Sequence, residues 1–199
     1  MTLQRSSAAT LAPPQVPDSA PTAAATQAVQ LTVASRQLDD VPWAPVEDGT
    51  AFGLAYSYEG PTLGYELGLQ YTSEDDDSVR DVQGVPWTFS VQLETLELYG
   101  GVRKTYFEGA SVRPYVGAGV TLIQANSEAA VNGAPIDSDD VGFGGYVRAG
   151  LLVPISDRFR IGLDARLVRG VEFDLRPVSN SDSLDADFEQ FGLVFEYLF

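Results

Sequence analysis

From Val29 onward, apolar and polar residues alternate one by one along a series of segments, so each segment carries two different faces. A period of two marks β-strands. The last segment is the clearest. Phe191, Leu193, Phe195, Tyr197 and Phe199 share one face, and Gly192, Val194, Glu196 and Leu198 share the other. Before it, Phe159, Ile161, Leu163, Ala165 and Leu167 oppose Arg160, Gly162, Asp164 and Arg166. The same pattern recurs in Phe143–Val153, Val112–Leu122, Leu63–Thr72 and Phe52–Glu59.

Two further segments are less regular. Val29, Leu31 and Val33 stand opposite Gln30, Thr32 and Arg36 in a short run. Between Trp87 and Arg103, Leu96, Leu98, Gly100 and Val102 keep to the apolar face, while Val91 and Leu93 have the other parity. That phase change predicts either a bulge or a hairpin top standing above the apolar zone. In all, the pattern predicts eight strands and no helix. The connections alternate between long (Gln37–Gly49, Ser73–Pro86, Asn126–Asp140, Asp174–Ala186) and short (Gly60-Pro61, Glu108-Gly109, Ser156-Asp157). Both chain ends therefore fall at the short-turn end.

Residues 1–28 are rich in Ala, Pro, Thr and Ser, with almost nothing large and apolar. Such a stretch buries too little surface to offset its conformational entropy. The expectation is a disordered tail or linker over 1–28 and one domain over 29–199. The stretch lacks the basic start and apolar run of a secretory signal, so an exported chain would carry one upstream of it or have lost it already.

Which face is wet decides the architecture. A soluble barrel or sandwich turns its apolar face inward and fills the other with Lys, Glu, Ser and Thr. Here the polar face is rich in Gly and carries single charges from many strands. Arg36, Arg103, Arg113, Arg148, Arg160 and Arg166 lie on it, as do Glu59, Glu66, Glu97, Asp164 and Glu196. The apolar face is large, aromatic and uncharged in its middle. Glycine on an inward face lets opposite walls share a narrow interior, where Arg and carboxylate pair. Aromatics gather at both ends of the apolar zone: Tyr56, Tyr58, Tyr65, Tyr106, Phe159, Tyr197 and Phe199 toward the short turns, and Tyr71, Trp87, Phe89, Phe143, Phe173, Phe188 and Phe191 toward the long loops. Two girdles around an aliphatic belt fit a barrel in lipid, and about 9–11 residues suffice for a tilted strand to cross. A soluble ligand-binding barrel of lipocalin type is the competing architecture. Dependence on detergent separates the two.

Composition narrows the chemistry. The 199 residues include no Cys and no His, and carry 12 Lys+Arg against 28 Asp+Glu, a net charge of −16. Disulfides, thiolate sites, His-ligated metals and His-dependent triads are excluded. The negative charge argues against nucleic acid, which is held by basic patches. The excess acid lies mostly in the long loops: Asp39, Asp40, Glu47, Asp48; Glu74–Asp77 and Asp81; Asp137, Asp139, Asp140; Asp174, Asp182, Asp185 and Asp187. Oxygen clusters hold Ca²⁺ or Mg²⁺, but none matches a twelve-residue calcium loop. Asp137–Gly142 has Gly at the sixth place, yet Val141 at the fifth and Arg148 at the twelfth. Solvated, mutually repelling loops are the plain reading, and weak bridging of divalent cations to lipopolysaccharide phosphates is the sharper one. No cofactor is expected. Gly117-Ala-Gly119 and Gly142-Phe-Gly144 are alternating strand glycines with no following helix, unlike a dinucleotide turn.

The ending FGLVFEYLF, with Phe191, Leu193, Phe195, Tyr197 and Phe199 on one face, resembles the C-terminal strand of bacterial outer-membrane proteins. The eight-strand layout with four long loops is similar to the small OmpA/OmpX-type barrels over roughly Val29–Phe199. The resemblance implies an all-β, eight-stranded antiparallel up-and-down transmembrane β-barrel in the bacterial outer membrane, with termini in the periplasm and long loops extracellular. It implies that the C-terminal pattern is read by the barrel-assembly machinery. It also implies that enzymes of this architecture rely on a His, which this chain lacks. A Ser-Lys dyad would need Lys104, the single Lys. No enzyme is therefore expected.

Fold does not settle function. The expected role is a membrane-embedded scaffold with acidic surface loops, serving adhesion, surface interaction or envelope integrity. Its lumen would be plugged by Glu66, Glu97, Arg103, Arg113, Arg148, Asp164, Arg166 and Glu196. Partners would be outer-membrane lipid and lipopolysaccharide, and an envelope or periplasmic protein through the tail. A narrow or gated channel for ions or small solutes is the alternative. Against it, eight strands leave an interior that side chains just fill.

Overall fold

The computed structural model describes residues 26–38, 48–82, 85–107, 109–131, 134–173, 184–185 and 187–199. Alternating residues form eight long strands: β1 (Thr26–Leu38), β2 (Asp48–Glu59), β3 (Gly64–Val82), β4 (Val85–Thr105), β5 (Arg113–Val131), β6 (Ala134–Pro154), β7 (Phe159–Arg169) and β10 (Phe188–Leu198). Two-residue strands β8 (Glu172–Phe173) and β9 (Leu184–Asp185) pair with each other between β7 and β10. The long strands close in the order β1-β10-β7-β6-β5-β4-β3-β2, each antiparallel to its neighbours. Closure leaves no sheet edge where the eight strands run side by side, and beyond it β3–β4 and β5–β6 continue as hairpins. The expected eight-stranded barrel is the observed fold.

The wall is inverted relative to a soluble protein. Leu31, Phe52, Leu54, Leu67, Leu69, Leu98, Val120, Val147, Leu163 and Phe195 all point outward and are exposed. Most polar and charged members of the other parity are buried inside. Going toward the long loops, the apolar belt stops at exposed Thr50, Gln124 and Arg169 and at half-buried Glu94. Toward the short turns it ends at Tyr65, Tyr106, Phe159 and Phe199. Tyr197 packs between Phe159 and Phe199, with ring centroids 5.0 and 5.2 Å away.

Three expectations change, and one open alternative is decided. The barrel begins at Thr26 rather than Val29, because Thr26, Gln27 and Ala28 already pair with Glu59, Tyr58 and Ser57 of β2. The rest of the stretch read as a tail, 1–25, lies outside the described residues. Second, Ser73–Pro86 and Asn126–Asp140 are mostly strand, since the β3–β4 ladder runs without interruption to Val82↔Val85 and the β5–β6 ladder to Val131↔Ala134. Their alternation fades because above the belt neither face is constrained by lipid.

The open alternative concerns the parity change in β4, which involves no bulge: the register with β3 is constant along the whole strand. Leu93 simply points inward near the top of the barrel, where it is buried. Third, Phe188 leaves the outer girdle. Its parity on β10 is that of Gln190 and Glu196, and it is fully buried in the lumen. The side chains of Trp87, Phe89 and Phe173, assigned to that girdle, lie outside the described ones.

Candidate functional site

The lumen is where the sequence places its buried chemistry. Three inward tyrosines occupy its middle, and inward glycines make the room. A Cβ on Gly68 would collide with the ring of Tyr99, and one on Gly150 with the ring of Tyr115. Tyr99 and Tyr146 meet edge to face, with centroids 5.6 Å apart.

Arg148 on β6 is the centre of the polar interior. Its Nη1 donates to Glu66 Oε2 at 2.9 Å, across the lumen on β3. Its Nη2 and Nε donate to Asp164 Oδ2 on neighbouring β7, at 3.0 and 3.1 Å. Tyr146 donates its hydroxyl to Glu66 Oε1 at 2.7 Å, and Tyr115 donates to Asp164. Both carboxylates thus receive a guanidinium and a phenol, the kind of full satisfaction that a buried charge requires.

A second pair stands nearer the loop end. Arg166 Nη2 donates to Glu97 Oε1 at 2.5 Å, and Thr121 donates to the same oxygen. The Arg166 guanidinium lies 4.4 Å from the ring centroids of both Tyr99 and Tyr146, within cation–π range. Above it, Arg36 donates to Thr95 Oγ1 at 2.9 Å and stacks 3.7 Å over the Phe188 ring. Gln70 and Gln190 exchange amide hydrogen bonds of 2.6 and 3.2 Å across the barrel.

The third group lies toward the short turns. Glu196 accepts from Arg160 Nη1 at 2.9 Å and from Gln30 Nε2 at 2.7 Å, and faces Arg103 Nη1 at 3.2 Å. Glu59 faces Arg160 and Arg103 at 3.4 and 3.5 Å and accepts from Thr105 Oγ1 at 2.5 Å.

Of the eight network residues expected from sequence, the structure brings seven into ion pairs: Glu66, Glu97, Arg103, Arg148, Asp164, Arg166 and Glu196. Arg113 stays outside. It has the inward parity but sits half-exposed at the first residue of β5, where its Nε points to the Ala110 carbonyl at 3.5 Å. Parity gives the face of a residue and not its height. Glu59, Arg160 and Arg36 share that parity and belong to the interior. The tyrosines, Gln30, Gln70 and Gln190 are legible in the sequence only as inward positions, because cross-barrel partners depend on strand stagger.

A further element has no counterpart in the sequence reading. Leu38, Leu93, Ile123, Ala125, Val168, Val171 and Phe188 form an apolar cluster at the loop end of the lumen. Val171 enters it from beyond β7. Gly170 turns the chain with φ +77°, and Asp187 Oδ1 accepts from the Gly170 and Val171 amides at 2.7 and 3.4 Å. The polar network is therefore covered by a mostly apolar stopper, with the buried Glu74 of β3 at the level of Leu93.

The remaining candidates are outside the lumen or outside the described residues. Phe191, Leu193, Phe195, Tyr197 and Phe199 all face outward on the last strand. Among the described residues, no group of three or more acids could hold a metal ion. Lys104 donates to the Pro61 carbonyl at 3.2 Å. The acids Asp39, Asp40, Glu47, Asp174 and Asp182 lie outside the described residues.

Comparison with solved structures shows the same architecture. A major outer membrane protein from Thermus thermophilus aligns with a TM-score of 0.58 at 16% identity, covering 88% of this chain and 100% of that one. Ail, the attachment invasion locus protein of Yersinia pestis, in complex with the heparin analogue sucrose octasulfate, aligns at 0.52 and 14%. Neisserial surface protein A aligns at 0.51 and 12%. Each of these two covers 88% of this chain and 97% of its own. No curated protein matches the sequence. At these identities the likeness is one of fold. The family model of the outer membrane protein β-barrel domain matches residues 6–199, and with a lipid-type outer wall around a charged interior, the chain belongs to that bacterial outer-membrane family.

Proposed function

We propose that the protein is a non-enzymatic scaffold of the outer membrane, with its lumen plugged and its acidic loop end turned to the outside. The observation that carries this reading is the interior itself. Arg148, Arg166, Arg103 and Arg160 are each paired with carboxylates on other strands, several of them across the barrel. Inserting such pairs is worthwhile to a fold mainly as rigid bracing, because desolvation cancels most of their attraction. The apolar stopper lies in series with the charged region, and hydrophobic constrictions oppose the passage of ions. Both features favour the scaffold over the channel.

On this reading the termini face the periplasm, and the tall β3–β4 and β5–β6 hairpins carry Asp and Glu into the medium. Adhesion, surface interaction or envelope integrity is then served by the loops. Lipopolysaccharide is the lipid partner, through divalent cations bridging its phosphates to the acids. The outward aromatics of the last strand serve recognition by the assembly machinery, and the N-terminal tail reaches a periplasmic partner.

Single-channel recording of the refolded barrel in a planar bilayer tests the reading, with folding verified beforehand by a heat-dependent gel shift. A silent, inserted barrel is the expected result. Discrete and reproducible conductance steps would replace the plug with the channel.

A further inference from the structure

The polar group nearest the short turns has more buried N–H donors than acceptors aligned to receive them. Arg103 faces two carboxylates, yet none of its three nitrogens makes an aligned hydrogen bond, and Nε of Arg160 has no partner either. A native interior supplies such groups with water or an ion. Arg160 is also part of the wall of a pocket of about 380 Å³ at the short-turn mouth. Arg113, Ser156, Asp157, Ile155 and Leu198 line it as well. Arg113 is the lumen-parity arginine that the ion-pair network leaves out, and its hydrogen bond to Ala110 is a long one.

The wall therefore brings together two arginines, one carboxylate and one hydroxyl, and Arg160 enters it with its Nη1 already shared between Glu196 and Glu59. Guanidinium forks suit phosphate oxygens. Asp157 repels a bare anion, but it accepts from a ligand hydroxyl. Ser156 Oγ already accepts from the Arg158 and Phe159 amides at 3.3 and 3.2 Å, so its own proton is free to be donated. Ile155 and Leu198 supply an apolar side for a short carbon skeleton.

We propose that this mouth binds a phosphate ester bearing a free hydroxyl, of the glycerol phosphate class. Arg113 and Arg160 hold the phosphate, and Asp157 accepts from the hydroxyl. The same chemistry comes from two sources, a soluble glycerol phosphate and the headgroup of phosphatidylglycerol in the adjoining leaflet.

The test uses the full chain refolded in a phosphate-free maltoside detergent, with folding confirmed by gel shift. Glycerol 3-phosphate is titrated by calorimetry. Retention of phosphatidylglycerol against phosphatidylcholine is read by native mass spectrometry. Binding of free glycerol 3-phosphate supports the proposal with a soluble source. Retention of phosphatidylglycerol alone supports it with the leaflet as source. In either case Arg113→Gln weakens binding at least tenfold, Asp157→Asn narrows the preference for glycerol over choline headgroups, and Arg158→Gln, outside the pocket wall, changes neither. Arg113 is outside the interior ion pairs, so its variant folds. A folded wild type that binds neither probe, or an Arg113→Gln variant that binds as tightly as wild type, overturns the proposal.

Discussion

Arg148 and Glu66 sit on strands separated by two others around the barrel wall, and their side chains meet at 2.9 Å in its centre. Asp164 takes the other edge of the same guanidinium at 3.0 Å. One side chain thus ties β3, β6 and β7 together. Removing it strands two buried carboxylates at once.

Arg148→Ala is therefore expected to destabilise the barrel by about 3–5 kcal/mol, the cost of leaving a buried charge without its partner. Urea unfolding in lipid vesicles measures it. The triple variant Arg148→Met, Glu66→Gln, Asp164→Asn removes the charges together and is expected to recover a large part of the loss. A triple variant as unstable as Arg148→Ala would show that packing, and not charge pairing, is what Arg148 contributes.

The apolar stopper makes a separate prediction. Phe188 is fully buried, fills the loop end of the lumen and supports Arg36 beneath its ring. Phe188→Ala is expected to cost about 3–5 kcal/mol, in the range of large aromatic truncations in cores. Phe191→Ala, at an outward-facing position on the same strand, loses a lipid contact and leaves no cavity, so its effect is expected to be much smaller. Parallel melting curves compare the two. Equal losses would return Phe188 to the outer girdle.

That pair of residues also shows what is legible in the sequence. Strict alternation identifies the wall, its inside and its outside, because lipid on one face and a crowded lumen on the other constrain every position between Phe52 and Glu59 or Phe191 and Phe199. Where that double constraint ends, so does the signal. Ser73–Pro86 reads as a loop although its backbone pairs to Val82↔Val85. Phe188 reads as a girdle residue because an aromatic beside a long connection fits either side. Arg113 reads as part of the network because parity reports a face, while pairing needs height and stagger. The three tyrosines are visible as inward residues, and their partners are not, since Tyr146 and Glu66 are 80 positions apart.

Glycine in the wall gives a test of that crowding. A Cβ at Gly68 would run into the ring of Tyr99. Gly68→Ala is expected to destabilise by about 1–3 kcal/mol, the usual cost of overpacking. Tyr99→Leu removes the colliding ring atoms. The double variant should be less unstable than the two single losses added together, since residues in contact are not additive. Strict additivity in the cycle would mean that Gly68 is needed for its backbone and not for the space it leaves.

The limits of the lipid belt are open to the same treatment. Leu98 faces outward in the middle of β4, and Glu94 faces outward four residues nearer the loops, where Tyr71 donates to it at 3.1 Å. An arginine on the lipid face costs about 2–4 kcal/mol at the midplane and about 0–1 near the interface. Leu98→Arg should therefore fall in the upper range. Gln124→Arg, at the polar edge of the belt on the next strand, should fall in the lower one. The difference arises because the long side chain at position 124 reaches headgroups directly, while the one at 98 must thin the bilayer or draw in water. Refolding titrations in phosphatidylcholine vesicles measure both. If the two substitutions cost the same, the belt would be displaced along β4 and β5, and the tall hairpins would begin at a different height than the exposed polar residues mark.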